Sequence, residues 1–219
     1  MINLRIVKEG FPFLKRSAIF SVVMMLICII WVKIWLFAVF CISIFWLLFI
    51  LFFFRDPQRS IPESDQIIVS PADGRIMRID RSGQGLLSGM VNISIFLSLW
   101  DVHINRIPVS GQVIFVKHIA GRYFPAFQSR SWGVNEQVHI GLQSNGYQVF
   151  VKQIAGTIAR RIVCDLKAGE KAIKGERFGM IKFGSCVELT IPGNTELRVT
   201  KGDRVKAGET VIGSIANET

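Results

Sequence analysis

The chain has 219 residues, enough for one domain with an additional segment, and its formal net charge is +10. No nucleic-acid-binding motif accompanies this charge, and basic residues adjoin an apolar segment, so we expect an anionic lipid surface rather than nucleic acid as the partner. The four cysteines form no CxxC or Cys/His pattern, which argues against a disulfide framework and a zinc site and suits a domain that faces the cytoplasm.

The N-terminal quarter of the chain is strongly apolar and predicts a membrane-anchoring helical hairpin. Its two arms, residues 18–32 and 34–54, are separated by Lys33 between Trp31 and Trp35, residue types that favour the membrane interface. The cations flanking the outer ends are Arg5, Lys8, Lys15, Arg16, Arg55 and Arg59. By the positive-inside rule both ends are cytoplasmic, which disfavours a single tilted span. The first arm is short, so a shallow or re-entrant hairpin is the alternative, and the long apolar run disfavours a cleaved signal peptide.

Short β-like runs follow and predict a mainly β domain over residues 55–219. A joint rich in proline, charge and serine, residues 53–66, separates this domain from the anchor, residues 1–54. The runs expected to be strands are residues 67–70, 75–79, 91–99, 111–116, 138–142, 148–154, 162–166, 179–182, 187–191 and 211–215. No long amphipathic helix is expected after Phe54, while residues 154–161 have the pattern of a helical turn.

A weak internal repeat lies near the C-terminus. The segment LKAGEKAIKGERFG resembles VTKGDRVKAGETVIG, with Gly169 and Gly175 aligning with Gly202 and Gly208 at an offset of 33 residues. This spacing of glycine turns is similar to that of the lipoyl/biotinyl hammerhead, in which short strands wrap a small β-sandwich. The tip lysine of a carrier domain is missing from the pattern, so the repeat predicts hammerhead-like β-sandwich elements without the carrier function.

Polar residues of the kinds that perform catalysis occur at four places between the apolar runs. They are Asp73 in SPADG, the burst Asp101, His103, Asn105 and Arg106 in DVHINR, His118 in VKHIAGR, and Asn135, Glu136 and His139 in VNEQVHI. At a fifth place, FGS, Gly184 and Ser185 lie inside a strand-like apolar run. Each is explained singly by a turn, a bulge or a surface charge. Together they supply the hydroxyl, carboxylate and imidazoles that activate a serine.

In this order the motifs resemble those of the phosphatidylserine decarboxylases. The segments SPADG, DVHINRIPVSG, HIAGR, NEQ, QIAGTIARRIVC and FGMIKFGS run through residues 54–192, and the hairpin fits the short, membrane-associated form. The resemblance implies a proenzyme that cleaves itself at the Gly184–Ser185 bond into a β chain, residues 1–184, and an α chain, residues 185–219. Ser185 Oγ would attack the Gly184 carbonyl, and β-elimination would leave the former Ser185 as a pyruvoyl group.

The resemblance also implies the reaction and the residue roles. The pyruvoyl carbonyl forms a Schiff base with the serine headgroup of phosphatidylserine, which yields phosphatidylethanolamine and CO2 without PLP or a metal. Asp73 matches the family's acid for self-cleavage, His103 a histidine near the substrate, and His118 a further histidine position. Arg106 stands where long forms carry a second histidine, which leaves open the histidine of an Asp-His-Ser relay. Arg106 is instead a candidate ligand for the lipid phosphate or carboxylate.

These implications predict a lyase in the cell membrane, an α/β heterodimer whose catalytic domain faces the cytoplasm, with higher homo-oligomers left open. Cys186 departs from the family pattern, in which Arg or Thr more usually follows the cleavage serine, and it would place a thiol beside the pyruvoyl carbonyl. One alternative keeps the chemistry and changes the lipid to archaetidylserine. Another is a non-enzymatic, membrane-tethered hammerhead domain that binds partners. A serine hydrolase is disfavoured, since the sequence has no GxSxG elbow.

Overall fold

A computed structural model describes residues 5–81, 89–122, 124, 133–156, 162–181 and 185–215 of the chain. The chain divides into two compact units, Met1–Gln58 and Arg59–Thr219. Within the described residues the first unit is helical, and the second contains strands but no α-helix. The mainly β fold preceded by an apolar helical hairpin is therefore confirmed.

The first unit is a helical hairpin made of α1 (Phe11–Ile30) and α2 (Ile34–Phe53), joined at the predicted tryptophan turn. Helix α1 begins seven residues before the predicted first arm and is therefore longer than expected. Each helix has 20 residues, about 30 Å at 1.5 Å per residue, which matches the thickness of a bilayer core. The segments Lys8–Ile30 and Ile34–Phe53 are long and apolar enough to cross a membrane. Large side chains such as Phe45 are 70% exposed, so this unit alone leaves apolar surface without cover.

The second unit contains fourteen strands within the described residues. They are β1 (Ile67–Val69), β2 (Gly74–Asp80), β3 (Met90–Leu97), β4 (Ile104–Arg106), β5 (Gly111–Ile119), β6 (Gln137–Ser144), β7 (Tyr147–Ile154), β8 (Ile162–Cys164), β9 (Lys171–Ala172), β10 (Arg177–Ile181), β11 (Ser185–Pro192), β12 (Thr195–Leu197), β13 (Arg204–Val205) and β14 (Val211–Ile215). Each predicted run overlaps one of them, while β4, β9, β12 and β13 were not predicted. The predicted helical turn is strand and coil up to residue 156, and its remainder lies outside the described residues.

Three antiparallel sheets form the domain. The largest has the strand order β13-β2-β3-β11-β7-β6-β5-β9, and the smaller sheets have the orders β1-β14-β12 and β4-β10-β8. Alternating side chains of the large sheet build the core, because one face of a strand is buried at every second residue. On β11, Val187, Leu189 and Ile191 face this core, whereas Glu188 and Thr190 face the opposite side.

The predicted repeat is part of a larger structural duplication. Gly202 N–H donates to Ile76 O and Gly169 N–H donates to Val113 O, both at 2.8 Å. In the same way Gly208 N–H donates to Ser70 O and Gly175 N–H donates to Ile107 O, again both at 2.8 Å. The donors are 33 residues apart and the acceptors 37 residues apart in both cases. The segment SPADGRI, residues 70–76, is therefore the counterpart of IPVSGQV, residues 107–113.

Candidate active site

Three of the predicted motifs meet at one end of the domain. Pro71 O, in SPADG, accepts hydrogen bonds from Arg106 N–H at 2.9 Å and from Asn105 Nδ2 at 3.4 Å, both in DVHINR. On the other side of that motif, Ile181 N–H donates to His103 O at 3.3 Å. Because Ile181 is the last described residue before Ser185, the motif lies between SPADG and the serine segment.

Ser185 is the first residue of β11 and lies opposite Leu97 at the end of β3. Its side chain is fully buried, and Oγ has no hydrogen-bond partner within the described part of the chain. A buried hydroxyl without a partner costs free energy, so its retention at this position points to a chemical use. Gly184, the other half of the predicted cleavage bond, lies outside the described residues.

His103 reaches the same end of the sheet through a tight turn after β3. In that turn Asp101 Oδ2 accepts Ser98 N–H at 2.8 Å and Ser98 Oγ at 2.6 Å. The fully buried His103 ring has Nδ1 at 2.9 Å from Asp101 O. Since a carbonyl oxygen only accepts, Nδ1 carries the proton and Nε2 of a neutral ring is the acceptor atom. Such an imidazole has the form that a general base needs.

Asp73 ends the SPADG turn on the opposite side of β3. Arg75, in β2, pairs with Phe96 of β3, and Ser185, in β11, pairs with the next residue of β3. The backbones of Arg75 and Ser185 are therefore roughly 10 Å apart, two strand spacings. Asp73 Oδ1 accepts Ala207 N–H at 2.7 Å. Burial raises the pKa of Asp73 above its usual value, although Arg59 and the Ala207 N–H oppose that rise. The three motifs thus bring a hydroxyl, an imidazole and a carboxyl to one region.

Arg59 is a site residue that the sequence did not reveal. Its position in the sequence groups it with the cations that flank the apolar helices, but its side chain is only 6% exposed. Its Nη2 donates to Asp73 Oδ1 at 3.0 Å and Oδ2 at 2.7 Å, and its Nη1 donates to Glu209 Oε2 at 3.4 Å. The expectation that Arg59 is an exposed, lipid-facing cation is therefore wrong. Its partners lie 14 and 150 residues away, beyond the reach of a local pattern.

Arg106 lines an open cavity of about 420 Å³. The cavity is lined by Ile61, Arg106, Lys174, Gly175, Glu176 and Arg177. Arg106 Nη1 donates to Gly175 O at 2.9 Å, and Lys174 Nζ donates to Ser64 O at 2.6 Å. Burial lowers the pKa of Lys174, with Asp65 opposing that change. Three cations against one carboxylate make this cavity suited to an anion.

The remaining histidines lie away from these three motifs. His118 is an exposed residue of β5, three strands from β11 in the large sheet. His139 lies on β6 with Nε2 at 2.8 Å from Gln137 Oε1. Asn135 has a structural role, because it accepts from Phe124 N–H and donates to the carbonyls of Phe124 and Ala155 at 2.7–2.8 Å.

Cys186 follows Ser185 on β11 and is buried. Side chains alternate along β11, so Cys186 lies on the face opposite Ser185 and packs against Ile154. Burial raises the pKa of the Cys186 thiol, which keeps it protonated. The thiol therefore faces away from the Ser185 side chain, while its place beside the carbonyl that would form on the backbone of residue 185 stays a prediction. Among the described residues no group of three or more His, Cys, Asp or Glu side chains is arranged to hold a metal ion.

Comparison with known proteins identifies the family. The family model described as phosphatidylserine decarboxylase matches residues 46–213. The chain is 44% identical over 211 residues to the phosphatidylserine decarboxylase proenzyme of Carboxydothermus hydrogenoformans, with 95% of each chain covered. It is 40% identical over 213 residues to that of Geotalea uraniireducens, with 96% of this chain and 97% of the relative covered. These matches confirm the resemblance carried by the motifs, and the chain belongs to the phosphatidylserine decarboxylase family, a family of decarboxylases.

Proposed function

We propose that this chain is a self-processing, pyruvoyl-dependent enzyme that converts phosphatidylserine to phosphatidylethanolamine and CO2. The observation that carries the proposal is the Ser185 hydroxyl, buried and without a partner in the described structure, beside the segments that hold His103 and Asp73. The relatives named above are called proenzymes, which supports processing of the chain before it becomes active.

Self-cleavage begins when Ser185 Oγ forms a bond to the Gly184 carbonyl carbon and the amide nitrogen leaves, so that the peptide bond becomes an ester. Loss of the Ser185 Cα proton then breaks the Cβ–Oγ bond and releases Gly184 as a carboxylate. Hydrolysis of the remaining dehydroalanine yields ammonia and the pyruvoyl group. Burial of Ser185 excludes water from the ester, which favours elimination over simple hydrolysis.

The chain's own residues are assigned to the proton transfers of this sequence. His103, with Nδ1–H directed to Asp101 O, presents Nε2 as the acceptor for the Ser185 proton. Asp73 supplies the carboxylate that orients the reacting groups or activates the base. His118 stays a prediction for a further catalytic histidine. Because it is exposed on β5, this role would require the substrate to reach that strand.

The position of Ser185 suits a pyruvoyl group. The residue starts a central strand, and its Oγ, which leaves with Gly184, has no hydrogen-bond partner in the described fold, so its loss breaks no side-chain hydrogen bond there. The carbonyl would form at the former Cα of Ser185 with an oxygen from water. Such a carbonyl would supply an electron sink for the electron pair that stays on the headgroup carbon when CO2 departs, a role that no ordinary side chain fills. His103, buried on the turn after β3, is proposed to hold or return the proton at the headgroup carbon.

Cleavage would leave the two chains joined as an α/β heterodimer. The α chain contributes β11, which pairs along its length with β3 and extensively with β7 of the β chain. It also contributes β13 and β14, which pair with β2 and β1. These interstrand hydrogen bonds and the shared core hold the small chain without a covalent link.

The cavity lined by Arg106, Lys174 and Arg177 is proposed to receive the lipid phosphate or the headgroup carboxylate. Arg106 forms part of the DVHINR motif and follows His103 by three residues, about 10 Å along an extended chain. Its guanidinium suits bidentate binding of either oxyanion. Phosphatidylserine carries both groups, so an anionic cavity ligand agrees with the proposed substrate.

The helical hairpin is proposed to anchor the enzyme in the cell membrane with the catalytic domain on the cytoplasmic side. Lys8, Lys15 and Arg16 lie near the start of α1, and the turn between the helices carries only Lys33. The positive-inside rule then places both helix ends in the cytoplasm. This anchor would hold the catalytic domain close to a lipid substrate that stays in the bilayer.

The intact mass of the purified protein tests the proposal. We expect two chains that separate between Gly184 and Ser185, the smaller one blocked at its N-terminus and lighter by the change from serine to pyruvoyl. Ser185→Ala should remain a single chain and release no CO2 from phosphatidylserine. A wild-type chain that stays whole after prolonged incubation in lipid would contradict the proposal and favour a membrane-tethered binding domain.

A further inference from the structure

We propose that Arg59 is a positioning residue for self-cleavage, holding the Asp73 carboxylate as an oriented anion at the end of the sheet where Ser185 lies. The inference rests on the proposed self-cleavage and adds a residue to it. Arg59 donates from Nη2 to both oxygens of Asp73, at 3.0 and 2.7 Å. The side chains of Arg59 and Asp73 are 6% and 12% exposed, so bulk water screens this pair little.

Arg59 is itself held in place from the other side. Its Nη1 lies 3.4 Å from Glu209 Oε2, and Glu209 Oε1 accepts Ser60 N–H at 3.1 Å. Glu209 and Ala207 belong to the proposed α chain, whereas Arg59 and Asp73 belong to the β chain. The Asp73 carboxylate is therefore held by two donors, the Arg59 guanidinium and the Ala207 N–H, and both sides of the cleavage point contribute.

The duplicated fold shows that the structure does not require this charge pair. At the counterpart of Asp73, Ser110 Oγ accepts the Lys174 N–H at 3.1 Å, as Asp73 accepts the Ala207 N–H. A neutral hydroxyl is therefore enough to satisfy the backbone donor at this turn. The carboxylate with its buried arginine goes beyond the needs of the turn, which indicates a functional reason for both.

The charged groups around Asp73 determine what removal of Arg59 would do. Burial and Asp101 both raise the pKa of Asp73, whereas Arg59 and the Ala207 N–H lower it. Glu209 faces Asp73 across Arg59, and Lys206 lies 3.9 Å from Glu209 with an exposed side chain. Without Arg59 only the Ala207 N–H opposes burial and Asp101, so the pKa of Asp73 rises further and a larger share of Asp73 is neutral at a given pH.

The test follows conversion of the precursor into two chains across a series of pH values. Precursor is made in a short cell-free pulse with vesicles, then incubated in buffers from acidic to alkaline. We expect Arg59→Gln to cleave about 10–100-fold more slowly at neutral pH, because the carboxylate is misplaced and partly neutral, and to recover towards alkaline pH. Arg59→Lys keeps the charge and should keep the wild-type pH midpoint while losing part of the rate.

The control is Arg78→Gln, which removes an arginine from the surface pair Arg78–Asp80 on β2, where the arginine side chain is 53% exposed. It should cleave like the wild type at every pH. The proposal is overturned if Arg59→Gln keeps the wild-type rate, if it slows cleavage by one factor at all pH values, or if Arg59→Lys shifts the midpoint equally. If Arg59→Gln does not fold, the midpoint of Arg59→Lys decides. A wild-type chain that never cleaves refutes the proposed function instead.

Discussion

Replacing Asp73 by serine tests the acid of the candidate site with a substitution taken from the duplicated fold. Ser110 occupies the counterpart position and accepts Lys174 N–H at 3.1 Å, as Asp73 accepts Ala207 N–H at 2.7 Å. Asp73→Ser therefore keeps an acceptor for the backbone donor and removes the charge. Stability and self-cleavage should respond by very different amounts.

The expected loss of stability is small. A hydrogen bond to a charged group contributes about 1.5–3 kcal/mol and a neutral one about 0.5–1.5 kcal/mol, so the exchange costs about 1–2 kcal/mol at Ala207. Arg59 keeps Glu209 as a partner, which holds the total below the roughly 3–5 kcal/mol for isolating a buried charge. A domain whose free energy of unfolding is about 5–15 kcal/mol stays folded after such a loss. Cleavage, which loses a positioned carboxylate, should slow by about 10²–10⁴-fold.

Pulse synthesis followed by denaturing gels and intact mass measures the cleavage rate, and thermal unfolding of the same samples measures stability. Asp73→Ala also leaves Ala207 N–H without its acceptor, so it should be less stable than Asp73→Ser by about 1–3 kcal/mol without cleaving much more slowly. Ser110→Ala is the matched control, because Ser110 accepts the equivalent backbone hydrogen bond in the other half of the duplication. It should lower the free energy of unfolding, as Asp73→Ala does, and leave the cleavage rate within about threefold of wild type. The reasoning would be refuted if Asp73→Ser cleaved at the wild-type rate, or if Ser110→Ala slowed cleavage as much as Asp73→Ser does.

Two further predictions concern the sheet. Gly74→Ala should lower the free energy of unfolding by about 3 kcal/mol or more in urea titration, because an added Cβ would lie 2.2 Å from Phe96 O at a φ of +152°. Gly146→Ala, at a φ of +86° with open space around it, should cost only about 1–2 kcal/mol, and equal costs would contradict the steric explanation. Burial and Lys152 lower the pKa of His139, so its contribution to stability is present above the unfolded pKa and is lost as pH falls. His139→Gln should therefore lose less melting temperature on acidification than the wild type, and an unchanged loss would remove His139 from the acid response.

The elements predicted correctly are those that the local pattern of apolar residues determines. A long apolar run interrupted only by Lys33 and two tryptophans places the hairpin turn, because membrane helices need length and apolar composition alone. Strand β4 was missed because its polar residues suggested a loop. It is buried, and Asn105 Oδ1 is satisfied by Gln153 Nε2 at 2.8 Å, a partner 48 residues away. A pattern of neighbouring residues cannot reveal a hydrogen-bond partner that is so distant in the sequence.

The candidate site shows the same division. Asp73, His103 and Ser185 were found as polar interruptions of apolar runs, which local reading detects. Arg55 and Arg59 come from one short linker and look alike in sequence, yet Arg55 bonds the nearby Phe52 O in an exposed position while Arg59 is buried against Asp73. The difference depends on the tertiary fold, so composition and charge counts assigned both to the membrane surface.

The duplication explains how one fold can hold both a structural turn and a reactive one. Each half presents a backbone N–H, from Ala207 or Lys174, to the residue that precedes a close-packed glycine. In the second half a serine meets that requirement, and its turn adjoins the cationic cavity. In the first half an aspartate meets it and also faces a buried arginine. Because Arg75 and Ser185 pair with neighbouring residues of β3, the acceptor position of the first half lies at the end of the sheet where β11 starts. An aspartate at this position brings a carboxylate to the region of Ser185, whereas the serine of the second half satisfies the equivalent backbone donor without a charge.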